Sequence, residues 1–300
     1  MDSGLRVVAS HAEPAFDPVD QEAGGGPAAA AAPVRELLSG ELLTDAMQAA
    51  LAAVSVRRMA DVRRAAEALR DIALACGGLH VVAHANIASK EPILDADGNV
   101  LAADVFGWTG ESEYWWKDSK LALSSPLPRA CRYESEVFWA NASGFYTRQP
   151  NPYLDEMNLE NFEKRALTRA AIVVPVHLPF GQIGAVCFLS RDPDRTDLSA
   201  QYELWGDALA LLSHRFIAGY AKAHRTRRWL PCDCQLTKRE VECLRWASVG
   251  KTDKEISLIL SRSHATVRFH IQNAGEKLNA VNRSQTIFKA AQLGYLGAAA

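Results

Sequence analysis

SRSHATVRFHIQNAGEKL, residues 261–278, has the spacing of a helix with two unlike faces. At about 100 degrees per residue, Val267, Ile271, Ala274 and Leu278 form one apolar stripe, while Arg268, Phe269 and Gln272 point the other way. An aromatic ring on the side away from the helix's own core needs a partner. The flanking sequence identifies what kind.

Four helix starts surround this stretch. Thr237-Lys-Arg-Glu240 and Thr252-Asp-Lys-Glu255 fit the capping box, in which hydroxyl and carboxylate satisfy each other's orphan amides. Ser263 caps the quoted helix, and Asn282 opens a fourth. Only Ser261-Arg262-Ser263 separates the second helix from the third, the short turn of a helix-turn-helix. In that motif the second helix enters the major groove of DNA with its N-terminal side chains toward base edges. Arg268 then suits guanine, Gln272 adenine, and Phe269 a thymine methyl. Lys251, Lys254, Arg262, Ser263, Thr266 and Arg283 stand at turns and helix ends, where phosphate contacts set register.

Charge supports this reading. The 300-residue chain has a net charge of −2, yet residues 225–300 carry 13 Lys or Arg against 6 Asp or Glu, and residues 1–224 carry 20 against 29. A basic module joined to an acidic one suits a nucleic-acid reader with a controlling domain. No uncharged apolar run approaches the ~20 residues that cross a bilayer, so no membrane partner is expected. The start, MDSGLRVVASHAEPAF, lacks a secretory pattern, and the expected compartment is the cytoplasm. Six scattered cysteines include one close pair, Cys232 and Cys234, where a structural zinc site would need two, so neither a metal nor a cofactor is expected. Cys187 and Cys243 lie in apolar patterns as small core residues. No nucleophile–base spacing marks an enzyme.

Residues 1–34, with EAGGGPAAAAAP, read as a disordered tail. Residues 35–222 read as a first domain, 223–235 as a linker and 236–297 as the helix-turn-helix domain. Within the first domain two helices precede Gly77-Gly78, and LHVVAHANI (79–87) alternates as a strand. DADGNVLAADVFGW (95–108) suggests a second strand. AIVVPVHL (171–178) and IGAVCFLS (183–190) form a hairpin about Pro179-Phe180-Gly181-Gln182. A helix is expected around 159–167, and a long amphipathic one from Leu198 to about His224. The fold class is α+β: an α-β-α sandwich on an antiparallel sheet, then an all-α four-helix module.

Residues 236–285, LTKREVECLRWASVGKTDKEISLILSRSHATVRFHIQNAGEKLNAVNRSQ, resemble the LuxR-type DNA-binding domain. Matching positions include Thr237, Arg239-Glu240, Leu244, Gly250-Lys251-Thr252, Glu255-Ile256, Leu260, Thr266-Val267, His270, Lys277-Leu278 and Asn282-Arg283. The resemblance implies a homodimer on a pseudo-palindromic promoter site, paired through Ile287, Ala291 and their neighbours.

YWWKDSKLALSSPLPRACRYESEVFWAN (114–141) and the hairpin resemble the autoinducer-binding sandwich of the same family, over about residues 36–220. That resemblance implies quorum-sensing control by an acyl-homoserine lactone or related apolar molecule, lined by Tyr114, Trp116 and Trp139. The family's ligand-binding Asp before a proline is Ser125-Pro126 here, and a family glycine is Ala171. A hydroxyl gives roughly half the bond of a carboxylate. Three alternatives stay open: Tyr114, Trp115 and Trp116 as packed core; Glu134 and Glu136 as replacement acids or as a solvated turn; and, favoured by Ser125 and Ala171, a ligand-independent dimerisation scaffold. Gly275, inside the quoted helix, costs roughly 1 kcal/mol against alanine, so either a backbone approaches it or the helix frays there.

Overall fold

The structure is a computed structural model that describes residues 45–89, 91–110, 124–225 and 234–297. The expected tail at 1–34, the first expected helix's opening residues, Tyr114, Trp115, Trp116 and most of the linker lie outside these residues.

Two helices, α1 (Asp45–Ala53) and α2 (Val62–Ala75), lead into strand β1 (His80–His84). Val62, Ala65, Ala66, Leu69 and Ala73 of α2 recur at helical spacing and are all buried. Next come short α3 (Leu101–Asp104) and α4 (Pro126–Ala130), then β2 (Phe138–Asn141) and β3 (Gly144–Tyr146). Short α5 (Pro152–Asp155) and α6 (Phe162–Ala166) precede β4 (Ala170–His177), β5 (Ile183–Leu189) and the long α7 (Ser199–His224). The five strands pair antiparallel in the order β1-β5-β4-β2-β3.

The sheet is covered on both faces, because alternate residues of each strand belong to different cores. Ile172, Val174, Val186 and Phe188 pack with residues of α2 and α7, such as Leu69, Leu209 and Phe216. Ala171, Val173, Ala185, Cys187 and Leu189 pack with Leu127, Phe138 and Phe162. Gly184 lets α7 approach β5: a Cβ there would lie 2.6 Å from Ile217 and 2.9 Å from the His84 carbonyl.

The hairpin of β4 and β5 forms as the sequence predicts. The strand expected over 95–108 does not. The Asp95 carboxylate accepts from the amides of Asp97 and Asn99 at 3.0 and 2.8 Å, closing a turn. A single bridge joins Leu94 to Val100, after which Leu101 and Val105, both buried, share the face of a short helix. The i,i+4 relation of these two residues outweighs the apparent alternation. Strands β2 and β3 lie at and just beyond the end of the 114–141 stretch, where the sequence predicts no strand.

The C-terminal helices are α8 (Lys238–Ser248), α9 (Asp253–Ile259), α10 (His264–Lys277) and α11 (Arg283–Gln292). They share their own core, with Cys243, Leu244, Ile256, Val267, Ala274, Leu278 and Ala290 buried.

Candidate nucleic-acid interface and ligand cavity

Local chemistry fixes α9 and α10 relative to each other. Both capping boxes form: the amides of Glu240 and Glu255 donate to the hydroxyls of Thr237 and Thr252, and the two carboxylates accept the Thr amides in return. Ser263 accepts from the Thr266 amide at 3.1 Å, and Asn282 from the Gln285 amide at 2.8 Å. The turn closes where the Arg262 amide reaches the Ser257 carbonyl at 2.9 Å.

On α10 the stripe Val267, Ile271, Ala274 and Leu278 is buried. Arg268 and Gln272 are exposed on the other face, and Phe269 stands 60% exposed beside them. Gln272 donates to Glu276 at 3.3 Å, which steers its amide along the helix. Lys254 and Arg262 are exposed, as is Ser263; Thr266 is half-buried with its hydroxyl 2.8 Å from that of Ser263. Lys251, half-buried, lies 3.7 Å from Glu255.

Arg283 opens α11, at a helix end as the sequence predicts, and has partners that spacing does not announce. Its guanidinium pairs with Asp253 and donates to the Lys251 carbonyl at 2.8 Å, tying the start of α11 to the start of α9. A donor fork meeting a carboxylate and a carbonyl at once is a positioning device. Sequence spacing of 30 residues gave no sign of it. One other contact is also invisible to sequence spacing. Lys289 is buried, and its ammonium donates to the carbonyls of Leu278 and Asn279 at 3.1 and 2.6 Å, satisfying the end of α10. Gly275 is met by the neighbouring helix: a Cβ there would sit 3.0 Å from the Thr286 hydroxyl. Helix α10 continues past it to Lys277, so it does not fray there, and what approaches is the Thr286 side chain rather than a backbone.

In the sandwich, an apolar cavity of about 80 Å³ lies on the α4/α6 side of the sheet. Val82, His84, Trp108, Ser125, Leu127 and Cys187 are among its walls. Ser125 is buried at the entry to α4, whose Pro126 suits a first helical position. Arg165 fixes the preceding carbonyl of Ser124 at 2.6 and 3.0 Å. His84, which the sequence reading did not single out, is buried, and burial lowers its pKa to about 4, so its ring is neutral near pH 7. Burial pushes the Cys187 thiol up to about 12 and that of Cys131 well above its ordinary range, leaving both unreactive.

Trp139 does not join this cavity. Strand alternation turns it to the α2/α7 side, where it stacks on Tyr146 at 4.1 Å, and Phe138 takes the cavity side. Glu134 does not stand in for the missing acid either. Its carboxylate accepts the amides of Ser135 and Glu136 at 2.8 and 3.0 Å and closes an exposed turn. No carboxylate lines the cavity among the described residues.

Residues 234–290 match the family described as GerE, bacterial regulatory proteins, luxR family. The transcriptional activator protein VanR of Vibrio anguillarum is 37% identical over 131 residues, covering 43% of this chain and 52% of VanR. RpaR of Rhodopseudomonas palustris, an HTH-type quorum sensing-dependent transcriptional regulator, is 34% identical over 198 residues, 63% of this chain and 73% of RpaR. A crystal structure of Escherichia coli SdiA covers 62% of this chain and 73% of its own, at 24% identity and a TM-score of 0.34. The chain spans about half the length of VanR and nearly three quarters of RpaR. It belongs to the LuxR family of bacterial regulatory proteins.

Proposed function

We propose that this chain is a quorum-sensing-type transcriptional regulator, in which α10 reads promoter DNA and the sandwich responds to an apolar small molecule. The observation that carries the reading is Phe269, exposed beside Arg268 and Gln272 on the face opposite the packed stripe of α10. Arg268 pairs with guanine, Gln272 with adenine, and Phe269 touches a thymine methyl. Lys251, Lys254, Arg262, Ser263 and Thr266 contact phosphates, and Arg283 holds the start of α9 in place. Residues 35–222 form the sensory domain, 223–235 the linker and 236–297 the reader. The regulator works without covalent chemistry, as a cytoplasmic homodimer, because one module of this size buries too little DNA for specific affinity alone.

A ligand shifts a conformational equilibrium only by its differential affinity for the two states. Selection of bound duplexes from a random pool by the purified chain, with and without an acyl-homoserine lactone panel, tests the reading. A recovered palindromic motif supports it; recovery of unselected sequence contradicts it.

The second reading is a ligand-independent regulator whose sandwich serves only dimerisation. The cavity favours it: about 80 Å³ is well below the ~300–1,000 Å³ of small-molecule sites, and Ser125 occupies the acid's position. Full DNA binding with no thermal shift from any apolar compound would support the scaffold.

A further inference from the structure

The cavity does not stand alone. Trp108, Leu167 and Leu189 also line an adjoining cleft of about 560 Å³. The two spaces differ in chemistry. Inside the cavity the polar groups are neutral: the Ser125 hydroxyl, the His84 ring, and a Trp108 N–H engaged by the Val81 carbonyl. An unpaired charge placed there would be costly to desolvate.

The cleft carries two guanidinium groups, Arg169 and Arg191, and two acids, Glu163 and Asp192. Asp192 is turned to its own loop and accepts the Asp194 amide at 2.9 Å. Glu163 meets Arg169 at 3.4 Å with both side chains about half exposed, a pair that water and salt weaken. Arg191 lies 4.9 Å over the Trp108 ring and donates to the Gly107 carbonyl at 2.8 Å. Neither contact neutralises it, and a guanidinium has five donors. No carboxylate pairs with it among the described residues.

The shared wall is also strained. Leu167 adopts φ +56, a left-handed conformation uncommon for a leucine, and is 40% exposed. A wall made of one residue with a left-handed backbone and one ring held by a cation is where a small cavity can open into a larger cleft.

We propose that cavity and cleft together take an amphiphile with an apolar tail and an anionic head, such as a medium-chain carboxylate, its head at Arg191 and Arg169. This rests on the sandwich being a small-molecule sensor and names the class of molecule. Among the described residues the cavity walls carry no charged group, which suits an apolar tail; an anionic head seeks donors, and the cleft supplies them.

Isothermal titration of the purified full chain with carboxylates from butanoate to decanoate, with decanol, and with decanoyl-homoserine lactone tests this. Affinity should rise with chain length, and decanoate should bind at least tenfold more tightly than decanol or the lactone. Arg191→Gln and Arg169→Gln should each lose at least fivefold toward decanoate and nothing toward decanol. Arg169→Gln leaves the Trp108 stack intact and so separates charge from packing. Decanol or the lactone equalling decanoate would overturn the anionic class and leave the sensor reading standing. No binding by any of these amphiphiles would overturn both.

Discussion

The ammonium of Lys277, at the end of α10, sits 2.9 Å from both carboxylate oxygens of Glu240, the residue whose carboxylate also completes the cap of α8. One buried acid therefore closes a helix start and anchors the far end of α10. Burial by itself would raise the Glu240 pKa, but Lys277 and the Thr237 amide hold it below its ordinary value.

Glu240→Gln keeps the shape and loses the charge. It should lower stability by about 1 to 3 kcal/mol in urea unfolding at pH 7. A group with a depressed folded pKa stabilises above its unfolded pKa, and that contribution disappears as pH falls through the folded value. The difference between wild type and Glu240→Gln should thus shrink on acidification below about pH 4.5. A constant difference across that range would remove the ion pair as its cause.

Gly275→Ala sets helix propensity against close packing. Alanine gains about 1 kcal/mol in a helix interior. Its methyl would press on the Thr286 hydroxyl, which is buried and bonded to the Asn282 carbonyl at 2.9 Å. Overpacking costs about 1 to 3 kcal/mol, so the single variant should be destabilised. In a Thr286→Ala background the same change should be neutral or stabilising, and thermal unfolding of the four proteins measures that coupling. Equal effects in both backgrounds would show that Thr286 is not the obstacle.

His84 makes the sandwich sensitive to mild acid. With its folded pKa near 4 against an ordinary 6.5, the unfolded chain binds the proton first, and stability falls from about pH 6.5 to about pH 4. The loss should reach about 3 kcal/mol. His84→Gln should flatten most of that slope. His80, lowered by burial and by Arg191, leaves a smaller remainder. Urea titrations at pH 7, 5.5 and 4.5 give the comparison, and an unchanged slope would contradict a neutral buried ring.

The parts of this architecture that the sequence makes legible are those governed by short spacing. Thr237 with Glu240, Thr252 with Glu255, and the stripe from Val267 to Leu278 are local patterns with local causes. The β4/β5 hairpin is marked by its own turn. What stays hidden depends on distant partners. Nothing near Arg283 announces Asp253, and nothing near Lys289 announces the carbonyls it receives. Strand β2 was unreadable because Phe138, Trp139 and Ala140 are all buried, so no polar alternation marks it. For the same reason Trp139 could be placed on the cavity side by position alone, when the pleat assigns that side to Phe138.

Lys254 is exposed near the start of α9, and in the proposed complex its point charge would meet a phosphate without reading a base. Lys254→Ala should weaken binding to specific and unrelated duplexes alike, and reduce the slope of log affinity against log salt by about one. Fluorescence anisotropy at several salt concentrations supplies both numbers. A loss confined to the specific duplex would assign Lys254 to base reading.

Whether Arg268 faces a base edge is tested by comparing wild type with Arg268→Ala on the selected duplex and on duplexes altered one base pair at a time. The variant should lose about 1 to 3 kcal/mol on the selected site and tolerate every base at one position in each half-site, while its nonspecific binding changes little. If Arg268→Ala binds the selected site as tightly as wild type and discriminates the same bases, α10 does not read DNA through this face.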